Sequence, residues 1–292
     1  MTWFAVDIGG TKIRLTVFGQ DLEPVRSTVV ATAALRRGTP AFASDLVGLL
    51  RAHRAQDHEG IGLVLNGVLR GGHVEYSSLM GGKVDFPLRD YLEQQLQLPV
   101  QVDDDIHAMG LAEYEFGLGA GRHRLAMLNL GTGIGVAYVE DGRVLRGEFA
   151  AGLLSEQLVW VEQLGGWRSL DRTVCGRGLR EMYGELSGTP VEAVTVLRRF
   201  TEDDPVAVRV MTAFSDTLVW TLQLVSRMYH PHVITLNGSV ARAWALIGDQ
   251  VEARYRRDLE DAFRAVLRRS GLTFPAERGV LLQARPDARP LG

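Results

Sequence analysis

Residues 3–8 alternate between the two faces of an extended chain and are rich in strand formers, Gly9-Gly10 reverses the chain, and residues 13–18 return as a second strand. The spacing of apolar positions then predicts helices over 41–53 and 88–96, with a buried strand over 61–65 and a short one over 99–102. Three aspartates, Asp103, Asp104 and Asp105, separate that last strand from a helical pattern over 106–116, so acidic residues stand at a helix start. Strands over 125–130 and 134–139 are joined by Gly131-Thr132-Gly133, and Asp141-Gly142 makes the next tight turn. From Arg172 onward the pattern is mainly helical, broken by a β-branched strand over 233–236 that ends at Asn237-Gly238-Ser239.

Residues 4–11 and residues 126–133 therefore read as two hairpins of like build, one in each half of the chain, which predicts a duplicated lobe. The fold class expected is α/β, with two lobes around a cleft. Because the two hairpins flank the aspartate run, the boundary is placed there: a small N-terminal lobe over 1–105 and a large C-terminal lobe over 106–292. A length of 292 residues suits two such lobes, and a content of 46% hydrophobic and 23% charged residues is that of an ordinary globular protein.

Charge and cysteine content narrow the partners. A formal net charge of -3 supplies no overall positive field for nucleic acid or an anionic membrane, and small molecules are the expected partners. One cysteine, Cys175, can form neither an internal disulfide nor a cysteine-clustered zinc site, which fits a reducing, cytoplasmic setting. The opening residues have neither a basic start nor a long apolar run, and no stretch reaches the ~20 apolar residues that a membrane span needs. The basic residues are nearly all arginine; Lys12 and Lys83 are the only lysines, which makes Lys12 stand out in the first hairpin.

The first hairpin gathers the tools for holding phosphate. Gly9 and Gly10 let backbone N–H groups approach closely, Thr11 adds a hydroxyl, Lys12 a point charge, and Asp7 a carboxylate able to hold a hydrated Mg²⁺. Gly131, Thr132 and Gly133 offer a second cradle of the same kind. A glycine turn can also serve only to reverse the chain; it is the pairing of two such turns in matching places that points to a nucleotide. Neither turn is a mononucleotide loop or a dinucleotide fingerprint, since each joins strand to strand. Within the aspartate run, one residue can be a helix cap. Another can orient an attacking hydroxyl and accept its proton late, for which the ordinary low pKa of an aspartate suffices.

These residues resemble the ROK (repressor, open reading frame, kinase) and bacterial glucokinase group of the actin-like superfamily. The resemblance is carried by Asp7-Ile8-Gly9-Gly10-Thr11-Lys12, by residues 102–113, by Leu130-Gly131-Thr132-Gly133-Ile134-Gly135 and by residues 231–240. It implies a two-lobed actin-like ATPase fold of the ribonuclease H-like type, with Mg²⁺ and ATP as cofactors and a sugar as acceptor. The family segment Val-x-Asn-Asp-Ala-Asn-x-Ala-Ala-x-x-Glu is similar to residues 102–113 and makes Asp105 the catalytic base. Gly238 lies in what resembles the family's nucleotide turn, while Gly67, Asp104, Glu156 and Asp171 fall on the sugar side. Asp104 stands where the family has Asn, and the family's Ala-Gly-Glu-x-Gly-His becomes residues 151–156, with Leu153 for the glutamate and Glu156 for the histidine. Lost hydrogen bonds of this kind change which sugar is preferred.

The family's cysteine-rich zinc module has no counterpart, so no structural zinc is expected, and Cys175 is read as a small buried hydrophobe. His107 is read as a packing or helix-start residue rather than a second base. Residues 284–290 cannot continue a helix well, and the family's closing helix is expected to be missing. The resulting expectation is an ATP-dependent sugar kinase acting as a homodimer, with no nucleic-acid or membrane partner. A catalytically weak or inactive sugar or nucleotide sensor on the same fold is the alternative, motivated by Leu153 and Glu156. An ATPase or acyl kinase of the same core ranks below both. A repressor would place a DNA-binding helical module before the first hairpin, which here begins at residue 3.

Overall fold

A computed structural model describes residues 2–54, 58–147 and 151–284. Contacts divide the chain into two compact units: one takes the chain up to Glu115, the segment from Gly142 and the segment from Leu272, and the other takes Phe116–Asp141 and Ala151–Gly271. A single cut after residue 105 does not capture this division. The helix after the aspartate run stays with the first unit, and the chain returns to that unit twice.

The first unit is built on β1 (Thr2–Ile8), β2 (Lys12–Phe18), β3 (Pro24–Ala31) and β4 (His58–Leu65). A small sheet of β5 (Val68–Arg70), β6 (His73–Ser77) and β7 (Gly82–Phe86) follows, then β8 (Val100–Asp103). The main sheet runs β3-β2-β1-β4-β8, with β1 and β2 antiparallel and β1, β4 and β8 parallel. The near-continuous apolar run of β1 fits its burial on both faces. Phe4, Val6 and Ile8 share a core with Phe42, Leu46 and Leu50 of α1 (Ala41–His53) and with Leu88, Leu92 and Leu96 of α2 (Leu88–Leu96). Trp3 and Ala5 face the other way, and Asp7 is next in that alternation. After β8 comes α3 (Asp105–Phe116).

The second unit repeats the plan. Strands β9 (Arg124–Leu130) and β10 (Ile134–Glu140) are antiparallel; the two-residue β11 (Arg143–Val144) follows in sequence. A hairpin of β12 (Leu158–Val161) and β13 (Gly166–Ser169) precedes helices α4 (Gly176–Ser187), α5 (Ala193–Thr201) and α6 (Pro205–Tyr229). After them come β14 (Val233–Asn237), α7 (Trp244–Asp258) and β15 (Val266–Arg269). The run β10-β9-β14-β15, with its antiparallel hairpin and parallel neighbours, matches β2-β1-β4-β8 of the first unit, so the duplicated lobe expected from the two hairpins is present. Its core gathers Leu128, Leu130, Val136, Phe214, Leu222 and Leu236. Among the described residues no helix is long and apolar enough to cross a membrane.

The last helix, α8 (Pro275–Ala284), lies in the first unit and corrects the expectation that the closing helix is missing. Pro275 is favourable at a helix start, and Leu281 completes the core of Trp3, Ala5, Phe18 and Leu22. Residues 285–290, on which that expectation partly rested, lie outside the described residues. Two glycines let α8 come close. A Cβ on Gly62 of β4 would stand 2.7 Å from Val280, and one on Gly279 would stand 1.7 Å from the carbonyl oxygen of Ala108 in α3. Gly279→Ala is therefore expected to force α8 off α3 and to cost at least about 1–3 kcal/mol of stability, as overpacking does. Urea unfolding measures it, and an unchanged midpoint would show that α8 tolerates the shift.

Candidate active site

The aspartate run spans the junction from β8 to α3, where the backbone turns from strand to helix. That junction gives the three carboxylates different neighbours. Asp103 closes the strand and is buried; Arg146 bonds both of its oxygens, at 2.6 and 2.8 Å, and the Gln283 side-chain amide donates to Oδ2 at 2.6 Å. Burial and the charge of Asp104 push Asp103 upward, while Arg146 opposes them. Donors on both oxygens fit the carboxylate and not the acid. Removing either member of a pair this buried leaves an uncompensated charge, a loss of about 3–5 kcal/mol.

Asp104 is the N-cap. Its Oδ1 accepts the His107 backbone N–H at 2.8 Å, and its Oδ2 lies 2.5 Å from His107 Nδ1. Burial would raise the Asp104 carboxyl, but the His107 bonds and the nearby Arg146 charge hold it below the ordinary range. The same bond raises the imidazole, against the effect of burial. Asp104, expected on the sugar side, thus spends both oxygens on its own helix.

Asp105 is the exception. Its Oδ1 accepts the Ile106 amide at 3.1 Å, and no cation or side-chain donor among the described residues pairs with it. Burial first, then the charges of Asp104 and Asp7, push its carboxyl up to about 7. The ordinary low value expected from the sequence is thereby corrected. A carboxyl near neutrality is matched to general-base work at cellular pH.

Asp7, at the end of β1, lies opposite Arg14 of β2, whose guanidinium donates to Asp7 Oδ2 at 2.8 Å. Arg14 also meets Glu277 of α8 at 2.6 Å and lies over the Phe274 ring. Burial, ahead of the Asp7 charge, raises Glu277 to about 7 against the pull of Arg14. Asp7 Oδ1 has no partner among the described residues, which leaves one oxygen able to hold a hydrated cation, so the residues present fit Mg²⁺ at one remove. Gly9 closes the turn by donating to the Lys12 carbonyl at 3.0 Å, while Gly10, Thr11 and Lys12 are exposed at its tip. Lys12 has no ion-pair partner among the described residues, and a Cβ on Gly10 would meet nothing, so the tip has room and charge for a phosphate.

In the second unit, the Gly131–Gly133 turn is held from beneath. Gly131 donates to the Gly133 carbonyl at 3.0 Å and accepts from Gly176 at the start of α4 at 2.9 Å. Asp171, expected to face the sugar, accepts the Ile134 N–H at 3.1 Å and bonds Arg177 at 2.9 Å. A Cβ on Gly133 would stand 2.5 Å from Asp171 Oδ1, so the glycine there follows from the aspartate packed over it. Gly238, at φ +89°, lies against the same turn, and a Cβ would meet the Leu130 carbonyl at 2.6 Å. Thr132 lies at the turn itself. Glu156 and Leu153 are exposed. Gly67 of the first unit is accounted for by the close approach of Tyr76, whose carbonyl oxygen a Cβ would meet at 2.3 Å. The Cys175 thiol is buried, donates to the Asp171 carbonyl at 2.7 Å and is raised to about 11 by burial, so it is inert.

Reasoning from sequence missed Arg146, Gln283, Arg14 and Glu277. Three of the four lie on segments that return to the first unit late in the chain, and no motif marks them. The signal available was indirect: a run of three carboxylates between a buried strand and a helix demands partners from elsewhere.

Two sheets of the same plan, each opening with a glycine-turned hairpin, define the actin-like ATPase class of fold. Within it, this chain belongs to the ROK family, whose sequence model matches residues 3–270. It is 28% identical over 261 residues to an N-acetyl-D-glucosamine kinase of Photobacterium profundum, covering 82% of this chain and 84% of that protein. It is also 28% identical over 253 residues to a β-glucoside kinase of Klebsiella pneumoniae, covering 81% of each. Among solved structures, a ROK hexokinase from Thermus thermophilus matches with a TM-score of 0.76 at 26% identity, covering 96% of both chains.

The raised Asp105 carboxyl carries a cost in stability with a defined sign. Between the unfolded value near ~4 and about 7 the folded protein binds the extra proton, so this residue's contribution declines as pH rises through that window. Asp105→Asn is expected to melt higher than wild type at pH 8, by on the order of a few kcal/mol, with the difference vanishing at pH ~4. Calorimetry across that range measures it; a variant less stable at pH 8 would contradict the assignment.

Proposed function

We propose that this protein transfers the γ-phosphoryl group of ATP to a hydroxyl of a sugar, with Asp105 as the general base. The observation that carries the reading is that Asp105 alone, of three adjacent carboxylates, is left without a cation and sits near neutral pKa at the start of a helix. The names of the relatives, an N-acetyl-D-glucosamine kinase and a β-glucoside kinase, support a sugar as acceptor. Asp105 accepts the hydroxyl proton as the sugar oxygen forms its bond to the γ-phosphorus and the bond to the bridging oxygen of ADP breaks.

The first unit carries the base, the free oxygen of Asp7 and the Thr11-Lys12 tip; the second, taken by itself, carries the Gly131-Thr132-Gly133 turn with Gly238 packed against it. When bound through water by Asp7, Mg²⁺ would neutralise charge on the phosphates. Asp104 and Asp171, committed to His107 and to the second glycine turn, act as supports in this reading. Gly67 and Glu156 remain for the sugar side. The alternative, a sensor that binds sugar or nucleotide without turnover, draws on the exposed Leu153 and the substituted Glu156.

The test is ADP release with a panel of hexoses and N-acetylated amino sugars. Sugar-dependent release is expected, rising with pH through about 7 as Asp105 ionises. Asp105→Asn should lower kcat by roughly 10²–10⁴ with little change in sugar binding. Binding without release for every sugar would favour the sensor. Release that ignores the sugar would make the protein an ATPase, and a fully active Asp105→Asn would remove the base.

A further inference from the structure

Two of the three aspartates have side-chain partners, Asp103 in Arg146 and Asp104 in His107. His107 is buried on the first turn of α3, and its Nδ1 faces Asp104 Oδ2 at 2.5 Å. Its Nε2 has no hydrogen-bond partner among the described residues, so Asp104 is what orients the ring, with Arg146 Nη1 3.4 Å from the same Nδ1. Asp104 for its part has no oxygen left for a substrate: one caps the helix and the other meets the imidazole. Yet it adjoins the residue proposed as base.

We propose that Asp104 and His107 form a positioning pair: the imidazole fixes Asp104 as an anion next to the base, and Asp104 thereby leaves the transferable proton to Asp105. The proposal deepens the kinase reading and rests on it for the role of the base. It does not rest on it for the proton itself, which can be followed without turnover.

The charges around Asp105 are these. Asp103 comes from β8, already neutralised by Arg146 and held by Gln283 of α8. Asp104 and His107 come from the start of α3. Asp7 comes from β1, paired with Arg14, which in turn meets Glu277 of α8. Asp103 and Asp7 each bond a guanidinium directly, and Arg146 stands 3.8 Å from Asp104 Oδ2 as well, so the anion whose hydrogen-bonded partner is an ordinary titratable group is Asp104. A like charge one residue away disfavours ionisation of its neighbour, and the bond to the imidazole keeps that like charge in place. The pair is therefore a setting for the base, made of two residues that need not touch the sugar.

The test is a carbon-13 NMR titration of the full chain labelled at the aspartate side-chain carboxyl, with the Asp105 resonance assigned by its loss in Asp105→Asn. In wild type this resonance should titrate near 7. Asp104→Asn, which keeps a capping side chain, should lower the midpoint by about one pH unit or more. His107→Leu, which frees buried Asp104 to take up the proton, should lower it in the wild-type background and leave it unmoved in the Asp104→Asn background, because the ring acts through Asp104. Asp104→Ser keeps the cap without the charge and should repeat the Asp104→Asn shift. A midpoint unchanged by both Asp104 substitutions overturns the proposal, as does a His107→Leu shift of equal size in both backgrounds. If neither Asp104 variant keeps the wild-type melting transition, Asp104 is a fold residue and the pairing is overturned too. Loss of the kinase reading would appear separately, as no sugar-dependent ADP in wild type with the titration intact.

Discussion

Three consecutive carboxylates at a buried strand-to-helix junction cannot all be ionised unless each has a partner, and this chain provides partners for two. Arg146 takes Asp103 with both nitrogens, and His107 takes Asp104 from one turn along the helix. Asp105 is left to solve the problem by holding its proton to near neutrality. The chemistry follows from that shortage: of the three, the carboxylate left without a cation is the group able to take a proton from a hydroxyl.

The arrangement depends on chain far from the aspartates. Arg146 arrives on the segment that begins at Gly142, and Gln283 arrives on α8, seated by the glycine at 279 and by Leu281 against Trp3, Ala5 and Phe18. The same helix delivers Glu277 to Arg14 and so bears on Asp7. One closing helix thus braces both acidic features of the first unit. In the second unit the equivalent brace is local, since Asp171 and the start of α4 support the glycine turn from within the same unit.

Much of this was legible in the sequence because it is local. The two hairpins show in period-2 alternation around glycine, α1 and α2 in 3.6-residue spacing, and the start of α3 in its acidic run. What escaped had weak local signals or none. Strand β3 is an edge strand whose side chains are mostly exposed, so its alternation carries no core. Helix α8 is ten residues beside a proline-rich end, and the prolines at 286 and 290 drew the reading away from it. Among the expected site residues, Asp104 bonds His107, and Asp171 bonds Ile134 and Arg177. From sequence, a cap and a ligand carry the same carboxylate; only the partner tells them apart.

The most direct measurement of the central claim is a neutron crystal structure at pH ~6, which shows where the protons are. The account requires a deuteron on the Asp105 carboxyl, bare carboxylates at Asp103 and Asp104, and a deuteron on His107 Nδ1 directed at Asp104. A bare Asp105 beside a protonated Asp104 or Asp103 would contradict it.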